Sequence, residues 1–233
     1  MMQAETKRKL EAQVERFYED AGAAFASSRH APWDVMKLLV DRVKPGDRVV
    51  DVGAGNGRLA DVLPPGVEYL GVEPSSALRA AAKHNVVAGS LPHLDLPDGH
   101  ADTVACIAVL HHIPSDEGRR AAVAELRRIL KPGGTLLLTV WNLRARRFLS
   151  WLTFKHAWLR LAGVAGGETG DLMYPWRAAG QNENRYVHAL TLGELKSLLD
   201  AKDWEVESIG AYDNGAWRSV LNGRNLVVLA RRR

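Results

Sequence analysis

Through its first 142 positions the chain alternates short apolar runs, rich in valine, isoleucine and leucine, with longer segments in which apolar and polar residues recur at helical spacing. Strands separated by helices in this way predict an open α/β sheet with mostly parallel strands. Glu5 to Ala26 reads as a helix, Ser27 to Trp33 interrupts it, and a second helix is expected from about Asp34 to Val43. Pro45-Gly46-Asp47 turns the chain into a first strand carrying Val49, Val50 and Val52, and Arg58 to Leu63 opens the next helix. A second strand is expected over Glu68 to Val72, an alanine-rich helix over Ser75 to His84, a short third strand over Val86 to Ala88 and a fourth over Asp102 to Leu110. Ser115 caps a helix to Leu130, with Asp116 and Glu117 in its first turn and Arg127, Arg128 and Lys131 at its end, as the helix dipole favours. Pro132-Gly133-Gly134 turns into a fifth strand, Thr135 to Trp141. After a long insertion come a helix from Thr191 to Ala201, a strand from Trp204 to Gly210, a turn at Asp213-Asn214-Gly215 and a last strand from Asn225 to Ala230.

The pattern breaks most sharply at Val49 to Gly57, where three glycines alternate after the first strand. Such a turn leaves no side chains in the way of a ligand, and backbone N–H groups at the start of the following helix would face the same spot. A dinucleotide fingerprint is excluded by spacing: Gly53, Gly55 and Gly57 give G-x-G-x-G, and the third glycine of G-x-G-x-x-G would fall on Arg58. Glu73 stands twenty residues after Gly53 at the carboxyl end of the second strand, placed to accept both hydroxyls of a ribose. The alternative is a turn that only connects strand to helix.

His111 and His112 close the fourth strand, where ligands of open α/β sheets lie. Neighbours on a strand point to opposite faces, so at most one histidine faces a reaction directly, and both serve equally well as polar residues ending the strand. Ligands on opposed faces cannot easily share one ion, so no metal site is expected.

Composition narrows the class. At 233 residues and 46% hydrophobic, the chain suits one decorated α/β domain spanning 1–233, divided into a helical cap (1–46), a core (47–142), an insertion (143–188) and a closing helix with a strand pair (189–233). Its single cysteine, Cys106, excludes an internal disulfide framework, and neither a signal peptide nor a bilayer-spanning run is present, so a cytoplasmic location without membrane attachment is expected. The net charge of +4 becomes informative by its placement: Leu143 to His188 holds seven basic residues (Arg144, Arg146, Arg147, Lys155, Arg160, Arg177, Arg185) against three acids. Phe148, Trp151, Phe154 and Trp158 interleave with them on an expected helix. That composition suits stacking on unpaired bases beside phosphates, but equally a lid whose apolar stripe packs on the sheet.

Three blocks, Asp51 to Gly57, Ile107 to His112 and Arg128 to Gly134, together resemble the core of the class I S-adenosylmethionine (SAM)-dependent methyltransferases, in the subgroup called type 11. The resemblance implies a Rossmann-like, doubly wound, mostly parallel seven-stranded sheet with an antiparallel last strand, a helical N-terminal extension and a lid insertion. A nearer likeness is to the tRNA wobble-uridine carboxymethyl methyltransferases of the Trm9 and ALKBH8 kind. Phe25-Ala26-Ser27-Ser28-Arg29 with Trp33, Ala108 to His112, Tyr174-Pro175-Trp176, Arg185 to His188, Gly193-Glu194-Leu195 and Asp213-Asn214 with Trp217 carry it. Ala54 stands where that group usually has cysteine, Val187 replaces a second tyrosine, and Ser90 replaces the usual acidic contact to adenine.

The resemblance implies SAM as cofactor, held by Asp51, Gly53, Gly55, Asn56, Glu73, Ser90 and Ala108, and a reaction site of Arg29, His111, His112, Arg185 and Tyr186. It implies tRNA as acceptor, through its anticodon loop, and a small activating subunit of the Trm112 kind. A methyltransferase of small molecules with a catalytic histidine, and a noncatalytic partner with a blocked cleft, are the alternatives.

Overall fold

The computed structural model describes residues 2–27, 31–145, 167–178 and 181–233. The chain builds its sheet from β1 (Arg48–Val52), β2 (Glu68–Val72), β3 (Val86–Val87), β4 (Ala101–Ile107) and β5 (Leu130–Trp141), all parallel. β6 (Asp171–Ala178) and β7 (Gln181–His188) form a separate antiparallel hairpin. β8 (Trp204–Asp213), β9 (Ala216–Arg218) and β10 (Asn225–Arg232) return to the main sheet, whose order is β3-β2-β1-β4-β5-β10-β8-β9. β10 enters antiparallel between β5 and β8, as expected of the last strand. β9 adds an eighth strand to the seven anticipated: Asn214 and Gly215, both at positive φ, make the two-residue turn that lets it fold back on β8.

Central strands buried on both faces explain the near-continuous valines and leucines; Val49, Val50, Val104 and Leu137 are fully buried. One face carries the larger core, where α3 (Asp116–Ile129) presents Ala122, Val123, Leu126 and Ile129 and α4 (Leu192–Ser197) presents Leu195. The other is covered by the 3-10 helix Asp34–Arg42 through Val35, Met36 and Leu39, and by Leu59. α1 (Ala4–Ser27) lies across the carboxyl ends of the strands, against α2 (Ser76–Ala80) and β7. Among the described residues no helix is long and apolar enough to cross a membrane.

Several boundaries moved for local reasons. β4 stops at Ile107 because Ala108 adopts φ 60 and the chain closes into a 3-10 turn, Leu110–His112. The helix expected at Arg58 is a five-residue 3-10 turn, Arg58–Val62. The segment Asp171 to His188, read from sequence as part of the insertion, is the β6–β7 hairpin. The expected helix carrying Phe148 to Leu159 lies outside the described residues, as do Arg29, Arg146, Arg147, Lys155 and Arg160.

Candidate active site

A cleft of about 1130 Å³ opens over the carboxyl ends of β1, β2 and β4, lined by Asp51, Gly53, Gly55, Glu73, Ser90 and Ala108 among others. Asn56, on the same turn, does not line it. Gly53 needs its φ of 73, and a Cβ there would run into the Val109 side chain. A Cβ on Gly55 would meet nothing within 4 Å, so the turn is open toward the cleft at that point. Glu73 shapes the turn from the neighbouring strand: its Oε2 accepts from Gly55 N at 2.9 Å and its Oε1 from Ser75 N at 3.0 Å.

Two buried carboxyls therefore face one cleft. Burial pushes the Asp51 carboxyl up to about 7, opposed by the hydrogen bond Tyr69 donates to its Oδ2 at 3.0 Å and assisted by repulsion from Glu73. Burial also raises Glu73 above the ordinary carboxylate range, against its two backbone bonds. A cationic or hydroxyl-rich ligand would offset both costs, and no sequence signal pointed to Tyr69 as the group that steadies Asp51.

α1 roofs the cleft with Lys7, Arg8, Glu11, Glu15 and Tyr18. Glu19 ties it down by accepting from Ser76 N at 2.9 Å and from the hydroxyls of Ser75 and Ser76 at the start of α2.

The two histidines part company in the 3-10 turn after β4. His112 lines the cleft; His111 is fully buried, 4.3 Å from the His112 ring and 4.6 Å from the Trp141 ring between centroids. Burial, then the neighbouring His112, Arg185 and His188, holds His111 well below the usual histidine range, so it is neutral and cannot supply a proton near pH 7. His112 Nδ1 donates to the Tyr186 carbonyl at 3.0 Å, and its Nε2 stands 2.8 Å from the Tyr18 hydroxyl.

Arg185 is 1% exposed, its guanidinium 4.8 Å from the Phe17 ring and 4.6 Å from the Trp141 ring, with Tyr18 and Tyr174 completing an aromatic surround. It lines a second cavity of about 460 Å³ with Trp33, Trp141, Tyr174, Trp176 and Arg224. Trp33 and Trp141 border both spaces, so the cavity adjoins the cleft at the end of β5.

Behind it Tyr186, 1% exposed, donates its hydroxyl to Asp171 Oδ1 at 2.7 Å, and His188 Nδ1 donates to the same oxygen at 2.7 Å. Burial opposes the His188 charge, but the bonds to Asp171 and the Glu194 carboxylate, 3.5 Å from Nε2, outweigh it and raise its pKa. Glu168, Asp171 and His188 approach within 4.8 Å, close enough for a metal, yet Glu168 is bridged to Arg119 at 2.6 Å and Asp171 is filled by Tyr186 and His188. It is an ion-pair network that fixes β6 and β7. Tyr186 thus reaches the site through its carbonyl, and Tyr18 and Trp141, which sequence reading did not single out, stand at its centre.

The profile of the family described as "Methyltransferase domain" matches residues 7–209. A protein of Encephalitozoon cuniculi that carries a methyltransferase name is 31% identical over 198 residues, 83% of this chain and 87% of that one. The tRNA (carboxymethyluridine(34)-5-O)-methyltransferase of Schizosaccharomyces pombe is 26% identical over 227 residues, 88% of this chain and 93% of its own length. The Arabidopsis thaliana protein of the same name is 31% identical over 131 residues, which span 32% of it. Among solved structures, the complex of the Haloferax volcanii Trm112 methyltransferase activator with a methyltransferase matches with a TM-score of 0.60 at 18% identity, over 94% of this chain and 96% of that one.

Proposed function

Since the chain belongs to the methyltransferase domain family and is a SAM-dependent methyltransferase, we propose that its acceptor is the carboxylate of a 5-carboxymethyl-type wobble uridine in tRNA. The observation that carries the reading is the second cavity: aromatic walls of Trp33, Trp141 and Tyr174 with the Arg185 guanidinium among them, adjoining the cleft through shared residues. Flat rings suit a base splayed out of its stack, and a buried cation suits an acid attached to it. The name of the fission-yeast relative supports the same acceptor.

Asp51, Gly53, Gly55, Glu73, Ser90 and Ala108 would hold the cofactor: the cleft's volume, its open glycine turn and its two costly carboxyls fit a ligand with a cationic tail and a ribose. SAM, when bound, supplies a methyl group activated on a sulfonium. The chain's own work is to bring a carboxylate against it in line; a carboxylate is already ionised at neutral pH, so proximity and orientation suffice. Arg185 and, beyond the described residues, Arg29 would orient the acid, with the basic residues Arg146, Arg147, Lys155 and Arg160 meeting tRNA phosphates. A Trm112-type activator is proposed as partner by likeness to the Haloferax complex.

Incubating the purified protein, with and without such an activator, with labelled SAM and either total tRNA or a small-molecule extract tests the proposal. Label in tRNA is expected; label only in the extract would assign the enzyme to small acceptors.

A further inference from the structure

Tyr18 belongs to the N-terminal helix, outside every motif block, yet its hydroxyl sits where the cleft meets the second cavity. Arg185 Nη1 donates to Tyr18 Oη at 3.1 Å, and Tyr18 Oη lies 2.8 Å from His112 Nε2. A carbonyl can only accept, so the 3.0 Å contact with the Tyr186 oxygen puts the His112 proton on Nδ1. A guanidinium can only donate, so the Tyr18 hydrogen turns to Nε2. Every bond in the run Arg185, Tyr18, His112, Tyr186 carbonyl then has one direction. Its far end is anchored, because the side chain of Tyr186 is itself held by Asp171.

We infer that Tyr18 is a positioning residue of the transfer site: at the joint of the two spaces its hydroxyl donates to the His112 nitrogen a base would need, and so keeps neutral a ring whose tautomer the Tyr186 carbonyl sets. This rests on the transfer reaction proposed above and deepens it, since an acceptor that must lose a proton finds no base in His112, whereas a carboxylate needs none. Reversing the run would require a second proton on His112 beside the Arg185 cation. Among the described residues, the Arg185 cation from β7 opposes that second proton, Tyr18 from α1 gives Nε2 a donor instead, and His111 on the same turn is itself neutral and brings no negative charge. Phe17, packed under the same guanidinium, keeps α1 in register for the contact.

The test uses the full chain labelled with ¹⁵N-histidine, the His112 signals being assigned by their loss in His112→Gln. Wild-type His112 is expected to stay in the Nδ1–H neutral form from about pH 6 to 8.5, across the range where an ordinary histidine titrates. In Tyr18→Phe the ring should keep its Nδ1 proton, held by the Tyr186 carbonyl, but take a second one at the uncapped Nε2 and titrate, while methyl transfer slows about tenfold or more with SAM affinity and the tRNA KM within about twofold. Wild-type His112 titrating in the ordinary range overturns the inference, and does so even where Tyr18→Phe fails to fold. A variant whose His112 stays neutral across that range and whose rate is unchanged overturns it as well. A locked tautomer in a protein that methylates no carboxylate supports the positioning role and removes the proposed acceptor; a titrating His112 in a protein that does methylate one removes the positioning role alone.

Discussion

Replacing Glu73 with alanine should weaken SAM binding by about 10- to 150-fold. Each oxygen of this carboxylate already accepts one backbone N–H, from Gly55 and Ser75, which leaves a lone pair on each for the two hydroxyls of a ribose. Losing a charged acceptor for that pair forfeits about 1.5–3 kcal/mol, and about 1.4 kcal/mol corresponds to a factor of ten. The backbone bonds add a second effect: without them the turn keeps its bonds from Gly53 N and Ala54 N to the Val72 carbonyl but loses the one at Gly55, so the variant should also unfold at a lower temperature. Glu73→Gln separates the two. It keeps the side-chain length and one acceptor oxygen, so most of the stability should return while SAM affinity stays below that of the parent. Titration calorimetry on folded variants, with circular dichroism as the check on folding, reads both quantities. Unchanged SAM affinity in folded Glu73→Ala would refute the placement of the cofactor against β2.

Asp51→Asn tests the cost of the second carboxyl. Its acid is raised to about 7 from an ordinary 3.8, so the folded chain binds the extra proton between those values and loses stability as pH climbs through them. The variant should gain up to about 4 kcal/mol over the parent at pH 8 and almost nothing at pH 4, by urea unfolding; equal gains at both would contradict it. Gly53→Ala, at φ 73 and against Val109, should lose roughly 1–3 kcal/mol, part of it restored by Val109→Ala in the same chain; additive effects would show that the two positions do not meet. His188→Gln removes a raised histidine paired with a depressed Asp171 carboxylate. The His188 contribution is present below its unfolded value near 6.5 and fades as pH rises through the higher folded one. The Asp171 contribution is present above 3.8 and fades as pH falls below it. The stability difference between variant and parent should therefore be largest near pH 5–6, and a difference independent of pH would count against the ion pair.

How far the sequence revealed the molecule depended on whether a feature was local. The valines of β1 and the glycine turn after it declare themselves within nine residues, and Glu73 follows from a fixed separation along one βαβ unit. The antiparallel last strand came by likeness, and its register with β5 and β8 agrees with it. Helix lengths were overestimated at Arg58, where a 3-10 turn stops at Val62, and at Ser75, where alanine-rich composition favours a longer helix than the five residues Ser76–Ala80 that form. The β6–β7 hairpin escaped because Tyr174, Trp176 and Arg185 look like parts of a basic aromatic insertion until their partners across the hairpin are known. Tyr18 and Trp141 escaped for a related reason: their role arises from contacts with Arg185 far along the chain, 167 positions away for Tyr18, and no spacing rule records such contacts. The separation of His111 from His112 was open on a strand and is decided by the 3-10 turn that Ala108 starts.

The chemical form of the product tests the central claim most directly. A methyl group carried by a carboxylate is an ester, which mild alkali cleaves to methanol, whereas methyl on nitrogen, carbon or an ether oxygen survives. tRNA labelled by the protein with methyl-labelled SAM is predicted to release its label as volatile methanol under mild alkali. Label that stays on the tRNA after the same treatment, or tRNA that takes up none, would contradict the account.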